Sequence, residues 1–526
     1  MEIVWIAILV VGLFAGILSG VPVILAIAGV PLLVAVAAAA FGGFDLGFLG
    51  AYPQRVIGVM NNPLLLAIPL FVLMGNLLEQ SRQAERMLLN IATILGQSRS
   101  ALALAVIFVS TLIAASTGII GATIVMLGMI SLPALLNAGV PERTSCGLIC
   151  ATGTLGQIIP PSVVLILLGD QISNAYIEAQ QDIGNFAPDP VSVGDLFAGA
   201  LVPGLILVAL YCGYVLVVLG LNRDGEWAER KAPVRSLAAR EVGDLLLGIV
   251  PPALLIVAVL GSILTGIATP TEAAAIGVAG TVLIAAAAIK DAPKSVRRIA
   301  TGTALAVVAS VLTYRFGLSR IDYSTGVMQV DAGNWFSIGI VLLALAGLLL
   351  ACGYLWKFGG LRAALTSTCQ ISAMIFGIII AASMLSLVFR GFGGDHMVEE
   401  ALTGLSGGKW HMLLITMTVI FVLGFVLDFV EIIFIVIPIV GPVILQTDFN
   451  PVWFAILMAM NIQTSFLTPP FGFALFYFRS VAPPHITTRQ IYRSIVPFVL
   501  LQLLALGIVV TVPLTATWLP SVLFGS

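Results

Sequence analysis

Long apolar runs, separated by short polar connections, make up almost the whole chain. Most of these runs contain about 20 residues, which is the length that a helix needs to cross the hydrocarbon core of a bilayer. The pattern therefore predicts an all-α polytopic membrane protein. The predicted membrane spans are residues 3–20, 22–41, 62–80, 145–168, 199–221, 244–264, 273–289, 299–319, 336–356, 370–389, 452–478 and 495–517.

Two further apolar runs, residues 101–138 and 412–446, are too long for a single crossing. Each run is interrupted near its middle by small or polar residues, where a helix can turn back on itself. These runs predict two re-entrant helical hairpins, each of which enters and leaves the membrane on one side.

Proline pairs interrupt two of the predicted spans, at Pro160-Pro161 and at Pro469-Pro470. Proline has no amide hydrogen and breaks a helix, so it leaves backbone carbonyls without helical partners. Within a membrane, such carbonyls are tolerated only where they are buried in protein or line a cavity. The pairs therefore predict two broken helices, at 145–168 and 452–478, that line a binding site.

The distribution of Lys and Arg sets the predicted orientation, because cytoplasmic loops carry an excess of both residues. Residues 169–198 contain five acidic residues and no basic one, so this connection is predicted to lie outside. Residues 222–243 and 290–298 are rich in Lys and Arg and are predicted to lie inside. With these assignments the first hairpin opens to the cytoplasm and the second to the outer face.

An offset of about 309 residues places the first proline pair on the second and the first hairpin near the second. Since the two halves have opposite orientations, the sequence predicts an inverted repeat, which is a signature of secondary transporters. The predicted organisation is N-terminal scaffold helices at 1–61, a first transport repeat at 62–168, an external loop and scaffold helices at 169–289, a helical pair at 290–365 with an external loop at 320–335, a second transport repeat at 366–480, and a C-terminal helix at 481–526.

Composition and charge support a membrane protein and disfavour other classes. Hydrophobic residues make up 60% of the chain and charged residues 9%, whereas soluble domains carry about 25% charged residues. The net charge of -2 argues against a nucleic-acid partner. The five cysteines form no CxxC pair and the three histidines form no HExxH, so these residues predict no metal site.

Several stretches carry a family resemblance, and they occur in the family's order. They are IPLFVLMGNLLEQS at 68–81, ATGTLGQIIPPSVVLIL at 151–167, TGIATPTEAAAIG at 265–277, GFVLDFVEIIFIVIPIVGPV at 424–443 and LTPPFGFALF at 467–476. With these stretches the chain resembles the large membrane subunit (DctM type) of TRAP transporters, the tripartite ATP-independent periplasmic systems. Members of that family are usually shorter, and the excess is assigned to an added helical pair at 299–319 and 336–356.

The resemblance implies an elevator-type fold of the ion transporter superfamily, in a bacterial or archaeal inner membrane. It implies a carrier that moves organic acids together with sodium ions and uses no other cofactor. The implied partners are a periplasmic substrate-binding protein, which delivers the organic acid, and a small four-helix membrane subunit, which braces the scaffold.

Small, hydroxyl-bearing and acidic residues cluster at the hairpin tips and ahead of both proline pairs, and sodium prefers such oxygen donors. The candidate sodium ligands are Ser116, Thr117, Gly118, Thr152, Gly153, Thr154, Asp428, Glu431, Thr464, Ser465 and Thr468. Each Ser or Thr has the alternative of a hydrogen bond to its own helix. Asp428 has the alternative of capping the second arm of its hairpin.

Neutral amides near the same positions are candidate donors to an anionic substrate. They are Asn76, Gln157, Asn461 and Gln463, and for each of them a contact between helices is the alternative. Arg390 is interpreted as a basic side chain that extends from a helix end to the membrane surface, with a counter-ion role as the alternative.

Three functional hypotheses follow from the sequence. The first is the large permease subunit of a sodium-coupled, binding-protein-dependent TRAP importer of organic acids. The second is a stand-alone elevator carrier, such as a dicarboxylate–sodium symporter or an antiporter, that needs no binding protein. The third is an intramembrane enzyme with Asp428 and Glu431 as acid and base, which the lack of a metal motif or a further catalytic constellation disfavours.

Overall fold

A computed structural model describes residues 2–81, 86–88, 90–91, 98–117, 120–221, 239–289, 293–315, 332–404, 406–470 and 472–525, and every regular element within these ranges is a helix. Nine of the described helices are long and apolar enough to cross a membrane. The prediction of an all-α polytopic membrane protein is therefore confirmed.

The N-terminal part of the chain forms a helical hairpin followed by a short helix and a longer, mostly buried one. Gly20 turns the chain at φ 80°, and Pro22 directly precedes the second helix. The helices are α1 (Glu2–Leu18), α2 (Val23–Ala40), α3 (Tyr52–Met60) and α4 (Ala67–Gln80).

The first predicted hairpin and the first broken helix correspond to four helices. These are α5 (Arg99–Thr117), α6 (Ile120–Asn137), α7 (Glu142–Gly153) and α8 (Val163–Asp182). α5 packs against α6 and also against α7. The proline pair lies between α7 and α8.

The middle of the chain contains five helices, two of which form the pair predicted as an addition. They are α9 (Val193–Leu221), α10 (Ala239–Leu264), α11 (Pro270–Ala288), α12 (Lys294–Arg315) and α13 (Ala332–Phe358). The ATPTEAAA stretch starts α11, with Thr269 and Glu272 in a reciprocal capping box and Pro270 at the first helical position. Most of the loop predicted at 320–335 lies outside the described residues.

The second predicted repeat follows with a long helix, a hairpin and a second broken helix. The helices are α14 (Leu361–Gly391), α15 (Gly394–Thr403), α16 (Gly408–Leu423), α17 (Phe429–Leu445), α18 (Pro451–Leu467), α19 (Phe473–Val481), α20 (Thr488–Thr511) and α21 (Leu514–Phe524). α18 is the most enclosed of them, since every residue from Val452 to Leu467 is buried.

Three helices of the second half start at one constant distance from three helices of the first. α16, α17 and α18 start at positions 408, 429 and 451, which are each 309 residues after the starts of α5, α6 and α7. The contacts follow the same correspondence. α8, after the first break, packs against α17, and α19, after the second break, packs against α6.

Two predicted boundaries are wrong. The connection predicted at 169–198 is helical as far as Asp182, because α8 continues past its apolar half into a polar one. The single C-terminal span predicted at 495–517 is two helices, α20 and α21, which are separated at Val512 and Pro513. Proline limits the preceding residue to extended backbone, and the φ of -126° and ψ of 76° at Val512 end α20 there.

Candidate functional site

The first helix break contains Pro160 and Pro161, which are joined by a cis peptide bond, and residues 158–162 are all buried. In a continuous helix the amides at these two positions would bond the carbonyls of Gly156 and Gln157. The hydroxyl of Ser162 donates to the carbonyl of Gln157 instead, at 3.1 Å. A side chain thus replaces one lost helical hydrogen bond inside the protein.

The second helix break is the Pro469-Pro470 pair, which is also joined by a cis peptide bond. The backbone N–H of Thr468 donates to the carbonyl of Ser465 at 3.1 Å. Gly472 follows, and a Cβ on this residue would lie 2.6 Å from the carbonyl oxygen of Phe466. Any larger residue at 472 would therefore displace the backbone of this break.

A buried polar network joins the two breaks. Nε2 of Gln463, one turn before the second break, donates to Oγ1 of Thr154, at the start of the first, over 3.4 Å. Nε2 of Gln502 lies at the same distance from Thr154 and donates to the hydroxyl of Tyr211 at 2.9 Å. All four side chains are buried. The two broken helices therefore meet directly, although they are far apart in the sequence.

In each half of the chain, the hairpin packs closely against the broken helix of the same half. A Cβ on Gly424, at the tip of the second hairpin, would lie 2.0 Å from Oγ of Ser465. A Cβ on Gly153, at the end of α7, would lie 2.3 Å from Cγ1 of Ile124 in the first hairpin. Both glycines allow a close approach that no side chain would permit.

Tyr477, on α19, lies against the tip of the first hairpin. Its ring atoms are 2.8 Å from the position that a Cβ would take on Gly121, near the start of α6. One aromatic side chain after the second break thus packs against the start of the second arm of the first hairpin.

Asp428 and Glu431 form a capping box at the start of α17. The backbone N–H of Phe429 donates to Oδ1 of Asp428 at 2.8 Å, and the backbone N–H of Asp428 donates to Oε2 of Glu431 at 3.1 Å. The capping alternative is thus observed for Asp428. An ionised carboxylate has about four lone-pair sites, so both groups retain acceptor capacity for a cation.

The described hydroxyl candidates each donate to a carbonyl of their own helix, which is the alternative that the sequence left open. The bonds run from Thr152 to Leu148 (2.8 Å), Thr154 to Ala151 (2.8 Å), Thr464 to Met460 (2.7 Å), Ser465 to Ile462 (2.8 Å) and Thr468 to Thr464 (2.7 Å). A hydroxyl that donates keeps its oxygen lone pairs. These bonds fix the direction of the oxygens, and those of Thr152, Thr464, Ser465 and Thr468 remain candidate sodium donors. The two lone pairs of the Thr154 oxygen already accept from Gln463 and Gln502.

Two glutamines of the network, and Gln157 three positions after Thr154, have buried amide atoms without a hydrogen-bond partner among the described residues. Within the described part of the chain, both amide atoms of Gln157 and the Oε1 atoms of Gln463 and Gln502 have no hydrogen-bond partner from the protein. A buried polar group without a partner costs about 1–3 kcal/mol, so such groups in a folded protein need an explanation. A bound ion or polar ligand would provide partners for them.

Two of the predicted substrate donors have structural partners. Nδ2 of Asn76 donates to Oγ1 of Thr368 at 2.9 Å and so ties α4 to α14. Nδ2 of Asn461 donates to the carbonyl of Met417 at 2.7 Å and so ties α18 to α16. For these two residues the structure shows the contact between helices that was the alternative to substrate binding. Gly118 and the side chains of Ser116 and Thr117 lie outside the described part of the structure.

The interpretation that the Arg390 side chain extends from a helix end to the membrane surface is wrong. Its guanidinium makes a two-point ion pair with Glu178, with N–O distances of 2.7 and 2.9 Å. Glu178 was predicted to lie in an external connection, but α8 extends far enough to bring it against α14. The counter-ion role, which was the alternative, is the one observed.

Sequence reasoning missed Tyr211, Gln502 and Tyr477. Gln502 left a signal, since it is a lone amide within the apolar run VLLQLLALG. The two tyrosines left none, because tyrosine is common in apolar helices for packing alone. Among the described residues, no group of three or more His, Cys, Asp or Glu side chains could hold a metal ion. Oxygen donors for sodium would come from hydroxyls, amides, carboxylates and backbone carbonyls.

The comparisons with known proteins bear on both the fold and the family. The profile of the family described as "Tripartite ATP-independent periplasmic transporter, DctM component" matches residues 7–321 and 335–515. The match includes both helices of the pair predicted as an addition and leaves out the residues between 321 and 335. One solved structure, the YdaH transporter of Alcanivorax borkumensis, is similar in fold, with a TM-score of 0.54 at 13% identity over 89% of this chain and 87% of that one.

Curated relatives match most of the chain. The C4-dicarboxylate TRAP transporter large permease protein DctM of Vibrio cholerae is 26% identical over 466 residues, which are 88% of this chain and 86% of the relative. The isethionate TRAP transporter permease protein DctMQ of Oleidesulfovibrio alaskensis is 27% identical over 451 residues, which are 85% of this chain and 57% of the relative. Its family match covers most of its length, and nine of its described helices are long and apolar enough to cross a membrane. The chain is therefore a multi-pass inner-membrane protein that belongs to the DctM component family of tripartite ATP-independent periplasmic transporters.

Proposed function

We propose that this chain is the large permease subunit of a sodium-coupled importer of organic acids that depends on a periplasmic binding protein and works by an elevator mechanism. The observation that carries the proposal is the meeting of both helix breaks at the Gln463–Thr154 contact, with a hairpin tip against each broken helix. Such a centre, built from interrupted helices of two repeats, is where secondary transporters bind their substrate and ions.

The constant offset of 309 residues supports an inverted repeat as the basis of the mechanism. A two-fold axis exchanges equivalent elements, so it converts the contact between α8 and α17 into a contact between α19 and α6. Both contacts are present. In the proposed mechanism the hairpins and broken helices carry the site across the membrane, while the scaffold helices α1–α3 and α9–α11 stay in place.

Sodium would bind where oriented oxygens converge. The carboxylates of Asp428 and Glu431 and the hydroxyls of Thr464, Ser465 and Thr468 supply such oxygens in the second half. The membrane potential contributes about 2.3 kcal/mol per elementary charge per 100 mV. Cotransport of more sodium charge than substrate charge would therefore be driven inward by the potential as well as by the sodium gradient.

An organic acid would bind at the same centre without a buried lysine. The N-termini of α6, α8 and α19 carry partial positive charge, which favours anions, whereas the N-terminus of α17 is capped by Asp428 and Glu431. The unpartnered Nε2 of Gln157 would donate to its carboxylate, and the unpartnered Oε1 atoms of Gln157, Gln463 and Gln502 would accept from a hydroxyl of the substrate or coordinate sodium. The two relatives described above are named for C4-dicarboxylate and isethionate, which are both organic acids.

The proposal requires two protein partners, namely a substrate-binding protein and a small membrane subunit. The decisive experiment reconstitutes the chain with its small subunit in proteoliposomes and adds the binding protein loaded with an organic acid that thermal-shift screening has identified. Uptake of labelled substrate is expected only with an inward sodium gradient and with the binding protein present. Uptake that persists without sodium would contradict the coupling, and uptake that persists without the binding protein would favour a stand-alone carrier.

A further inference from the structure

A cavity of about 420 Å³ lies between α3, α8, α14 and α17, away from the polar network that joins the helix breaks. Its volume is in the range of sites for small ligands. Its walls combine apolar and polar residues, and the argument depends on six polar ones: Arg55, Asn62, Asp170, Asn174, Glu178 and Arg390. Neither the family match nor the proposed centre gives this cavity a role.

The charges at one end of the cavity are partly balanced. Arg390 makes its two-point ion pair with Glu178, and its guanidinium also donates to the carbonyl of Pro438 at 3.2 Å. This pair is neutral as a unit. It also fixes the wall of the cavity, because it joins α14, α8 and α17.

Arg55, on α3, is the uncompensated cation at this end. It is half-buried, and within the described ranges of the chain no carboxylate lies within 4 Å of its guanidinium. Burial lowers the pKa of Arg55, and the positive charge of Arg390 lowers it further, while Glu178 opposes this effect. An anion placed at Arg55 would offset both the desolvation and the repulsion.

The other end of the cavity is acidic. Asp170 is buried, and its two carboxylate oxygens accept hydrogen bonds from the amides of Asn62 (2.7 Å) and Gln171 (2.9 Å). Asp170 and Glu178 are eight residues apart on α8, so they are separated by ~12 Å along the helix axis. The cavity therefore has a cationic end at Arg55 and an anionic end at Asp170.

We propose that this cavity is a binding site for an organic monoanion, whose carboxylate pairs with Arg55 and whose opposite end donates a hydrogen bond towards Asp170. A planar guanidinium matches a carboxylate at two points. A hydroxyl-bearing tail suits the acidic end, whereas the second carboxylate of a dicarboxylate would be repelled there. The site adds a selective binding step to the proposed transport, and its location on the outer side rests on the proposed topology.

The test compares two probes of nearly equal size, 4-hydroxybutyrate and succinate, which differ by a terminal hydroxymethyl group in place of a carboxylate. Binding to the full chain in lipid nanodiscs is measured by calorimetry in sodium-free buffer, so that a sodium-dependent centre does not contribute. Wild type is expected to bind 4-hydroxybutyrate at least about tenfold more tightly than succinate.

Four variants should change the affinities for the two probes in different directions. Arg55→Gln should weaken 4-hydroxybutyrate binding at least about tenfold. Glu178→Gln should strengthen it, because Arg390 then contributes a second free positive charge. Asp170→Asn should strengthen succinate binding and so reduce the preference for the monoanion. Arg489→Gln, which removes an exposed charge outside the cavity, should leave both affinities unchanged.

Protection of a cysteine locates the bound probe. In a background without native cysteines, Ser386→Cys places a thiol on the cavity wall, and 4-hydroxybutyrate should slow its alkylation. Arg55→Gln should abolish this protection. If Arg55→Gln does not fold, Arg55→Lys, which keeps the charge but loses the two-point geometry, should weaken protection, and Glu178→Gln should still increase it.

Several results would overturn the proposal: no saturable binding by wild type, equal affinity for the two probes, or unchanged binding in the Arg55 and Glu178 variants. These results are independent of the proposed transport function. If sodium-dependent uptake occurs but the Arg55 variants bind normally, this inference fails alone. If the cavity binds as described but no uptake depends on sodium or the binding protein, the proposed function fails alone.

Discussion

Nε2 of Gln463 lies 3.4 Å from Oγ1 of Thr154, and the two residues are 309 positions apart. The same number separates the starts of three helix pairs, α5 and α16, α6 and α17, and α7 and α18. In the proposed inverted repeat, Thr154 and Gln463 therefore occupy equivalent positions. Equivalent positions can touch only where the axis that relates the copies passes close to them, so this contact marks the centre of the proposed site.

Replacement of Gln463 by leucine should separate a functional amide from a structural one. Its Oε1 atom has no hydrogen-bond partner in the described part of the protein, and its Nε2 atom makes one long bond of 3.4 Å to Thr154, so loss of the amide should change the free energy of unfolding by less than about 1 kcal/mol. If a sodium ion or substrate uses this oxygen, uptake should fall at least about tenfold. Uptake assays and thermal unfolding of the purified complex measure the two effects.

Thr154→Val, which keeps the shape of the side chain, provides the control for this prediction. The double variant should lose less than the sum of the two single losses, since both residues belong to one network. Normal uptake by Gln463→Leu would show that the network is not part of the transport site.

Asp428 should have two separable roles, as a helix cap and as a negative charge. Asparagine caps helices about as well as aspartate, whereas alanine at an N-cap costs about 1 kcal/mol. Asp428→Asn should therefore keep the melting temperature but raise the sodium concentration for half-maximal uptake at least about tenfold. Asp428→Ala should lower the melting temperature in addition. Unchanged sodium dependence in Asp428→Asn would show that the residue is only a cap.

The contact between Gly424 and Ser465 should be sensitive to a single methyl group. A Cβ at 424 would lie 2.0 Å from Oγ and 2.7 Å from Cβ of Ser465, so Gly424→Ala should destabilise the fold by about 1–3 kcal/mol. The double variant Gly424→Ala/Ser465→Gly frees the space and should recover most of the melting temperature. A melting temperature of Gly424→Ala equal to wild type would mean that the hairpin tip does not pack against α18 in this way.

Asn76 should behave as a structural residue. Because its amide bonds Thr368 and so joins α4 to α14, Asn76→Leu should lower the free energy of unfolding by about 1 kcal/mol. The substrate concentration and the sodium concentration for half-maximal uptake should stay within about twofold of wild type. A large change in either concentration, without a loss of stability, would show that Asn76 belongs to the substrate site.

Hydrophobic runs and proline pairs were enough to predict most of the long apolar helices and the positions of both breaks, because membrane insertion constrains length and composition strongly. The constant offset could be found from Pro160 and Pro469 alone. The polar end of α8 could not be predicted as helical, since a helix that leaves the membrane has no apolar signal. As a result, the pairing of Glu178 with Arg390 was missed.

The site itself was predictable only in part. Thr154 and Gln463 were selected because polar residues near a break are unusual, and the structure brings them together. Tyr477 was missed because its position depends on how α19 packs against α6, which no local pattern encodes. Asn76 was selected for the same polarity as Gln463, and only the three-dimensional contact with Thr368 distinguishes the two.

The most direct test of the central claim, that two oppositely oriented halves build one site, is the sidedness of the hairpins. In a background without native cysteines, Asn137→Cys marks the base of the first hairpin and Asp448→Cys the base of the second, and both positions are exposed. A membrane-impermeant maleimide should label Asp448→Cys only from outside, in right-side-out vesicles, and Asn137→Cys only in inverted vesicles. Labelling of both cysteines from the same side would contradict the inverted arrangement.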